Sequence, residues 1–174
     1  MDDRFSNNKS RRFYLVLILL ATALLYSRCL DYGPVNWDDA LLRTQVYGEG
    51  FKPAGLVNLL KPSFSATYQP VRELVSTLLA GRAERSSWLA FHLVSLAFYL
   101  GTVIFFYLTV SLLLERVHKL RGLSTWWLGA VAATGIFALH PGHVEVAAWV
   151  LGQKDALVGF FYLGALYFYI RSSR

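Results

Sequence analysis

Residues 139–155 of this 174-residue chain read LHPGHVEVAAWVLGQKD, and they lie between two apolar segments. The stretch holds two of the four histidines, two carboxylates and a lysine. Ionisable side chains between apolar segments are costly in a membrane unless they are paired or used. This stretch is therefore the first candidate for a functional site.

The composition is that of an integral membrane protein. Hydrophobic residues make up 55% of the chain and charged residues 16%, whereas soluble domains carry about 25% charged residues. Long apolar runs account for the deficit, so we expect a membrane protein. The single cysteine, Cys29, excludes an intrachain disulfide and a cysteine metal cluster.

Four apolar segments predict transmembrane helices in a single membrane domain, so the expected fold class is an all-α polytopic helical bundle. The segments cover 12–30, 88–114, 123–139 and 156–171. They are connected by a polar loop at 31–87, a basic turn at 115–122 and the polar motif at 140–155. Because the last two segments are short, the polar break between them is expected to line a cavity at membrane depth.

The distribution of charge predicts the orientation in the membrane. The amino tail, the 115–122 turn and the carboxyl tail together hold nine basic and three acidic residues, whereas the 31–87 loop holds six of each. The positive-inside rule then places both termini in the cytoplasm, and 31–87 and 140–155 on the periplasmic or lumenal face. The net charge of +6 is explained by basic ends near an anionic inner leaflet, so no nucleic-acid partner is expected.

Three short amphipathic helices are predicted in the 31–87 loop. Asp38 or Asp39 can cap the first, which runs to Tyr47, and the second begins near Pro53. Pro70 opens the third, which ends before Gly81. The apolar face of the third helix consists of Val71, Leu74, Val75, Leu78 and Leu79. We expect these helices to lie along the membrane surface or to pack on the bundle.

The adjacent carboxylates of Asp38 and Asp39 follow the first predicted span. Such a pair can provide a general base for a hydroxyl, or hold a divalent cation that binds phosphate. A helix cap explains the same residues equally well.

His140, His143 and Glu145 resemble a metal-binding cluster by spacing alone. If Pro141 is the first helical residue, however, His143 and Glu145 face nearly opposite sides. A three-ligand zinc site is therefore not expected, and hydrogen bonds to a phosphate or an acidic partner fit better. The alternative is a polar turn between two spans, with Glu145 favourable near a helix start.

Arg72, Lys154 and Asp155 are the remaining candidates for a binding site. Arg72 lies in the first turn of its predicted helix, where the dipole disfavours a cation, so helix stability does not explain it. The two cations can bind an anionic ligand. Alternatively, Arg72 is a solvated or snorkelling side chain, and Lys154 forms a local ion pair with Asp155.

The order and spacing of four motifs resemble the amino-terminal membrane region of the transmembrane and tetratricopeptide-repeat proteins. The motifs are NWDD at 36–39, YQPV at 68–71, FHLV at 91–94 and FALHPGHVEVAAWVLGQKD at 137–155. That family belongs to the GT-C glycosyltransferase superfamily, with the protein O-mannosyltransferases, and the resemblance covers about residues 12–172. It departs at Gln69 and Gln153, where the family often has arginine.

The resemblance implies an inverting transfer of a sugar from a polyprenyl-phosphate donor to an acceptor hydroxyl, by a hexosyltransferase. Asp38 and Asp39 would then lie near the reaction centre as catalytic residues. The residues that would bind substrate are Arg72, His140, His143, Glu145, Lys154 and Asp155.

The family has more spans and a carboxyl-terminal repeat domain, so this module is expected to need further spans or a partner membrane subunit. Two other functions are compatible with the sequence. One is a non-catalytic membrane interaction subunit that retains the fold, and the other is a small transporter component.

Overall fold

The computed structural model describes residues 3–33, 69–80, 88–121 and 125–173. All regular structure in these ranges is helical, and none of these residues belongs to a β-strand. The predicted all-α class is therefore confirmed. The Asp38–Asp39 pair and the first two predicted loop helices lie outside the described residues.

Six α-helices and two short 3₁₀ turns make up the described ranges. The helices are α1 Asp3–Tyr26, α2 Pro70–Ala80, α3 Leu89–Arg121, α4 Trp126–Ala138, α5 Val144–Ala148 and α6 Gln153–Ser172. The 3₁₀ turns are Ser27–Asp31 and Pro141–His143. The helix predicted to begin at Pro70 is confirmed as α2, and the proline ring fixes a backbone angle suited to its first turn.

Two helices extend beyond the segments predicted from hydropathy. Polar residues from Asp3 onward continue α1 before the apolar segment at 12–30 begins. Residues 115–121, predicted as a basic turn, continue α3 as a helix. Their sequence, ERVHKLR, is rich in residues with high helix propensity and contains no glycine or proline to end the helix.

Within the described ranges, two helices are long and apolar enough to cross a membrane. The candidate spans are Asn8–Asp31 and Leu89–Val117. Only 17% of the apolar window of the first span, and 33% of that of the second, is buried within the molecule. Helix α4 is apolar but has only 13 residues, a length of about 20 Å.

Helix α3 is the central element, since it packs against α1, α4, α5 and α6. One buried cluster joins the end of α1 to the middle of α3, the end of α4 and α5. Its members are Tyr26, Cys29, Leu96, Tyr99, Val103, Ala138 and Ala147. The α3–α6 contact is made by aromatic rings, with Phe160 5.2 Å from both Phe98 and Phe105 between ring centroids.

The four longest helices alternate in direction. At one end of the bundle, the hydroxyl of Tyr26 donates to the carbonyl of His140, which joins the end of α1 to the end of α4. At the other end, Arg11 lies 4.3 Å from the Trp126 ring, and Arg116 donates to the carbonyl of Ile170. The polar motif at 139–155 is therefore at the same end of the bundle as the end of α1 and the start of α3.

Candidate functional site

A cavity of about 630 Å³ lies between the start of α2 and the start of α6. We call it the α2–α6 cavity. Its lining consists of Gln69, Pro70, Val71, Arg72, Lys154, Asp155, Leu157, Val158, Phe161 and Tyr162. Three of the predicted site residues, Arg72, Lys154 and Asp155, thus line one cavity, although Arg72 and Lys154 are 82 positions apart in the sequence.

Arg72 is buried, with 7% of its surface exposed, so it is not the solvated or snorkelling side chain of the alternative interpretation. Its Nη2 donates to the carboxylate of Glu73 at 2.6 Å. This ion pair offsets part of the cost of burying the guanidinium. Its Nε is buried and has no hydrogen-bond partner among the described residues, so one donor of this cavity-lining side chain is unpaired.

Lys154 lies in the first turn of α6. Its Nζ is 5.9 Å from the centre of the Trp149 ring, within the range of a weak cation–π contact. Although both residues are described, Lys154 and Asp155 form no ion pair, so the local pair proposed as an alternative is absent. Asp155 is exposed and precedes the apolar residues of the cavity.

Two glutamines near this cavity each have a buried polar side-chain atom. Gln69 lines the cavity, and Gln153, which is 1% exposed, immediately precedes Lys154. Within the described ranges, Gln69 Oε1 and Gln153 Nε2 have no hydrogen-bond partner. An unpaired buried polar group is costly, and of these two glutamines only Gln69 lines the cavity.

The predicted residues His140, His143 and Glu145 do not line the α2–α6 cavity. The two histidines lie on the 3₁₀ turn at the end of α4, with ring centroids 5.8 Å apart. We call residues 139–143 the histidine turn. Glu145 is exposed in the first turn of α5, where its charge is favourable.

Buried tyrosines hold the histidine turn against α1 and α3. The Tyr99 hydroxyl is 2.9 Å from the carbonyl oxygen of Ala138 and 2.8 Å from His143 Nδ1. Tyr26 donates to the carbonyl of His140 at 3.2 Å. Neither tyrosine was predicted from the sequence as a site residue, although a tyrosine within an apolar helix usually needs a hydrogen-bond partner when it is buried.

Gly152 allows the close approach of α5 and α6. A Cβ atom at this position would lie 2.5 Å from the carbonyl oxygen of Glu145 and 3.0 Å from that of Trp149. Both contacts are to backbone atoms, which cannot move independently of the helix. The glycine therefore fixes where α6 begins and where Lys154 lies.

Among the described residues, no group of three or more His, Cys, Asp or Glu side chains is placed to hold a metal ion. The divalent cation considered for Asp38 and Asp39 falls outside the described residues.

Comparison with known proteins found no match to a family model, a curated protein or a solved structure.

Proposed function

We propose that this chain is a membrane module of a GT-C-type glycosyltransferase. It transfers a sugar from a polyprenyl-phosphate donor to an acceptor hydroxyl, and it needs further spans or a partner subunit for activity. In this proposal α1, α3, α4 and α6 form four membrane segments, with the α2–α6 cavity and the histidine turn on the outer face.

The observation that carries the proposal is the amphiphilic lining of the α2–α6 cavity. Arg72 and Lys154 supply cationic groups, whereas Leu157, Val158 and Phe161 supply an apolar wall on α6. A polyprenyl-phosphate sugar has the same division, since it joins an anionic phosphate to a hydrocarbon chain. The cations therefore hold the phosphate, and the hydrocarbon follows the exposed apolar side of α6.

The state of Arg72 suits a phosphate ligand. A guanidinium has five N–H donors, of which the contact with Glu73 accounts for one. The buried Nε has no partner among the described residues, and arginine–phosphate hydrogen bonds are among the stronger ones in proteins. Lys154 adds a compact positive charge that balances the growing charge of the departing phosphate.

The acceptor hydroxyl needs a base, because an alcohol is a poor nucleophile at neutral pH. In this proposal Asp38 or Asp39 removes its proton as the glycosyl–phosphate bond breaks. The bond from the anomeric carbon to the acceptor oxygen forms, and the polyprenyl phosphate leaves with the bonding electrons.

The exposed apolar surface supports a position within the bilayer. Most of the apolar window of α1 is not covered by the rest of the molecule. Exposed large side chains on this helix include Phe13, Val16, Leu17, Leu20 and Leu24. A continuous surface of this kind is unfavourable in water and favourable in lipid.

Donor binding provides the test. The full chain in lipid nanodiscs is titrated with a short-chain polyprenyl-phosphate hexose, and binding is measured by native mass spectrometry. We expect Arg72→Gln and Lys154→Gln each to weaken binding about tenfold or more, because hydrogen bonds to charged groups contribute about 1.5–3 kcal/mol.

Two controls distinguish this function from that of a non-catalytic membrane interaction subunit. Arg171→Gln removes an exposed cation at the opposite end of the bundle, and it should leave the affinity unchanged. The neutral polyprenol should bind more weakly than the phosphate. Equal binding of both lipids, with no effect of the two cavity variants, would leave the non-catalytic interaction subunit as the better interpretation.

A further inference from the structure

The two rings of the histidine turn have their Nδ1 atoms engaged by different kinds of partner. His140 Nδ1 lies 3.1 Å from the backbone nitrogen of Gly142. A backbone N–H can only donate, so His140 Nδ1 accepts this hydrogen bond and carries no proton. The neutral ring of His140 therefore carries its proton on Nε2, and that atom is a donor.

His143 is held in the opposite tautomer. Its Nδ1 lies 2.8 Å from the carbonyl oxygen of Phe137 and 2.8 Å from the Tyr99 hydroxyl. A carbonyl can only accept, so Nδ1 carries the proton. The Tyr99 oxygen accepts from the same N–H and donates its own proton to Ala138. The neutral ring of His143 consequently has an unprotonated Nε2, which is an acceptor.

The hydrogen bonds of the buried Tyr99 hydroxyl favour this tautomer of His143. Tyr99 is 2% exposed, and a buried hydroxyl needs partners for both its proton and its oxygen. In this assignment Tyr99, Phe137 and Ala138 each have a hydrogen-bond partner of the right kind. Tyr99 acts through His143 and is therefore a positioning residue.

We propose that His140 and His143 form a binding site for a hydroxyl group. His143 Nε2 accepts the hydroxyl proton, and His140 Nε2 donates to the hydroxyl oxygen. An alcohol is both donor and acceptor, and it matches a pair that offers one of each. A phosphate dianion has only acceptor oxygens, so the lone pair of neutral His143 disfavours it.

This inference rests on the proposed function in one respect, because the hydroxyl then belongs to the sugar acceptor or to the sugar itself. The two sites would then bind different chemical groups of the substrates. The α2–α6 cavity holds the phosphate, and the histidine turn binds a hydroxyl.

The tautomers are measured first, by ¹⁵N NMR of the full chain labelled at histidine, in nanodiscs above the histidine titration range. Protonated and unprotonated ring nitrogens have well-separated shifts, and single His→Asn variants assign the signals. We expect the His140 proton on Nε2 and the His143 proton on Nδ1. Finding both histidines in the same tautomer would overturn the inference.

Hydroxyl binding is measured next on the same sample, with N-acetylserine methylamide and a methyl hexopyranoside as probes. N-acetylalanine methylamide is the control that lacks only the hydroxyl. We expect a hydroxyl probe to shift the His143 Nε2 resonance in a saturable way. The serine amide and the glycoside represent the acceptor and the sugar, and the one that binds identifies the source. No saturable shift from either probe, or an equal shift from the alanine amide, would overturn the proposal.

Matched substitutions distinguish the loss of an Nε2 contact from a change in the fold of the histidine turn. Asparagine can replace the Nδ1 hydrogen bond of either histidine but has no group at the Nε2 position. His143→Asn and His140→Asn should therefore keep the turn and weaken probe binding at least tenfold. His140→Gln retains a donor near Nε2 and should bind more tightly than His140→Asn. None of these measurements requires sugar transfer, so failure of the proposed function in donor binding remains a separate result.

Discussion

Among the residues of the α2–α6 cavity, Arg72 is in the least favourable position for a charged side chain. It lies in the first turn of α2, where the helix dipole disfavours a cation, and it is nevertheless 7% exposed. Glu73 offsets one of these costs through its ion pair. A buried cation at a helix position that disfavours positive charge is a candidate for binding an anion.

Tyr99→Phe should destabilise the chain, because it removes a buried hydroxyl that contacts both Ala138 and His143. Loss of such a hydroxyl costs about 1–2 kcal/mol. Tyr107→Phe is the matched control, since Tyr107 is also buried in α3 and no described hydrogen bond involves its hydroxyl. Thermal unfolding in detergent measures the difference, and equal effects of the two changes would contradict the role assigned to Tyr99.

Replacing Asp38 and Asp39 together by Asn should lower sugar transfer far more than folding or membrane insertion. Loss of a general base costs about 10²–10⁴-fold in rate. The assay uses a polyprenyl-phosphate sugar and the complete assembly, with any partner subunit present. Unchanged transfer would return the two aspartates to the helix-capping interpretation.

At the scale of elements, the packing of α3 on α6 depends on a close approach at Gly101. A Cβ atom there would lie 2.6 Å from two atoms of the Phe160 ring. Small residues at such positions allow helices in membranes to pack closely, where van der Waals contact replaces much of the hydrophobic driving force.

Gly101→Ala should therefore destabilise the α3–α6 contact by about 1–3 kcal/mol, the usual cost of overpacking. Phe160→Leu shortens the opposing side chain and should recover part of this loss in the double variant. Gly135→Ala is the control, because a Cβ there would meet only Ile18 Cδ1, at 3.9 Å. Additive effects of the two changes, measured by thermal unfolding, would show that Gly101 and Phe160 are not coupled.

Gly152→Ala should displace the start of α6, since the new methyl group would meet the backbone of α5. We expect a loss of more than about 1 kcal/mol in stability and weaker donor binding, because Lys154 follows two residues later. Gly33→Ala is a control outside the helices, where a Cβ would have no neighbour within 4 Å. Normal donor binding by the Gly152 variant would show that the α5–α6 junction does not determine binding in the α2–α6 cavity.

At the scale of the whole molecule, the described candidate site residues lie at one end of the bundle, and several arginines lie at the other. The end of α1, the start of α3 and the start of α6 lie together, whereas Arg11, Arg116 and Arg171 lie towards the opposite end. The orientation predicted from the charges places the basic end in the cytoplasm.

Cysteine labelling tests this orientation in a Cys29→Ala background. Tyr32, Thr125 and Ser173 are exposed, and each is replaced singly by cysteine. A membrane-impermeant maleimide should label position 32 from the outer side, and positions 125 and 173 only after the membrane is permeabilised. Labelling of positions 32 and 125 from the same side would refute four alternating membrane segments.

The sequence by itself determined the all-helical class and the helix that begins at Pro70. It also singled out Arg72, Lys154 and the two histidines as candidates. These features are local, since hydropathy, helix propensity and the restricted backbone of proline act over a few residues. The continuation of α3 to Arg121 was missed because charged residues suggested a turn, although their helix propensity is high.

Only the tertiary structure decided which candidates share a site. It placed Arg72 and Lys154 around one cavity, and it separated them from the histidine turn. It also brought Tyr99 and Phe137 to the ring of His143, and Gly142 to the ring of His140. These relations depend on how helices far apart in the chain rotate and pack against α3, at contacts such as Gly101 against Phe160, and no local pattern in the sequence encodes that rotation.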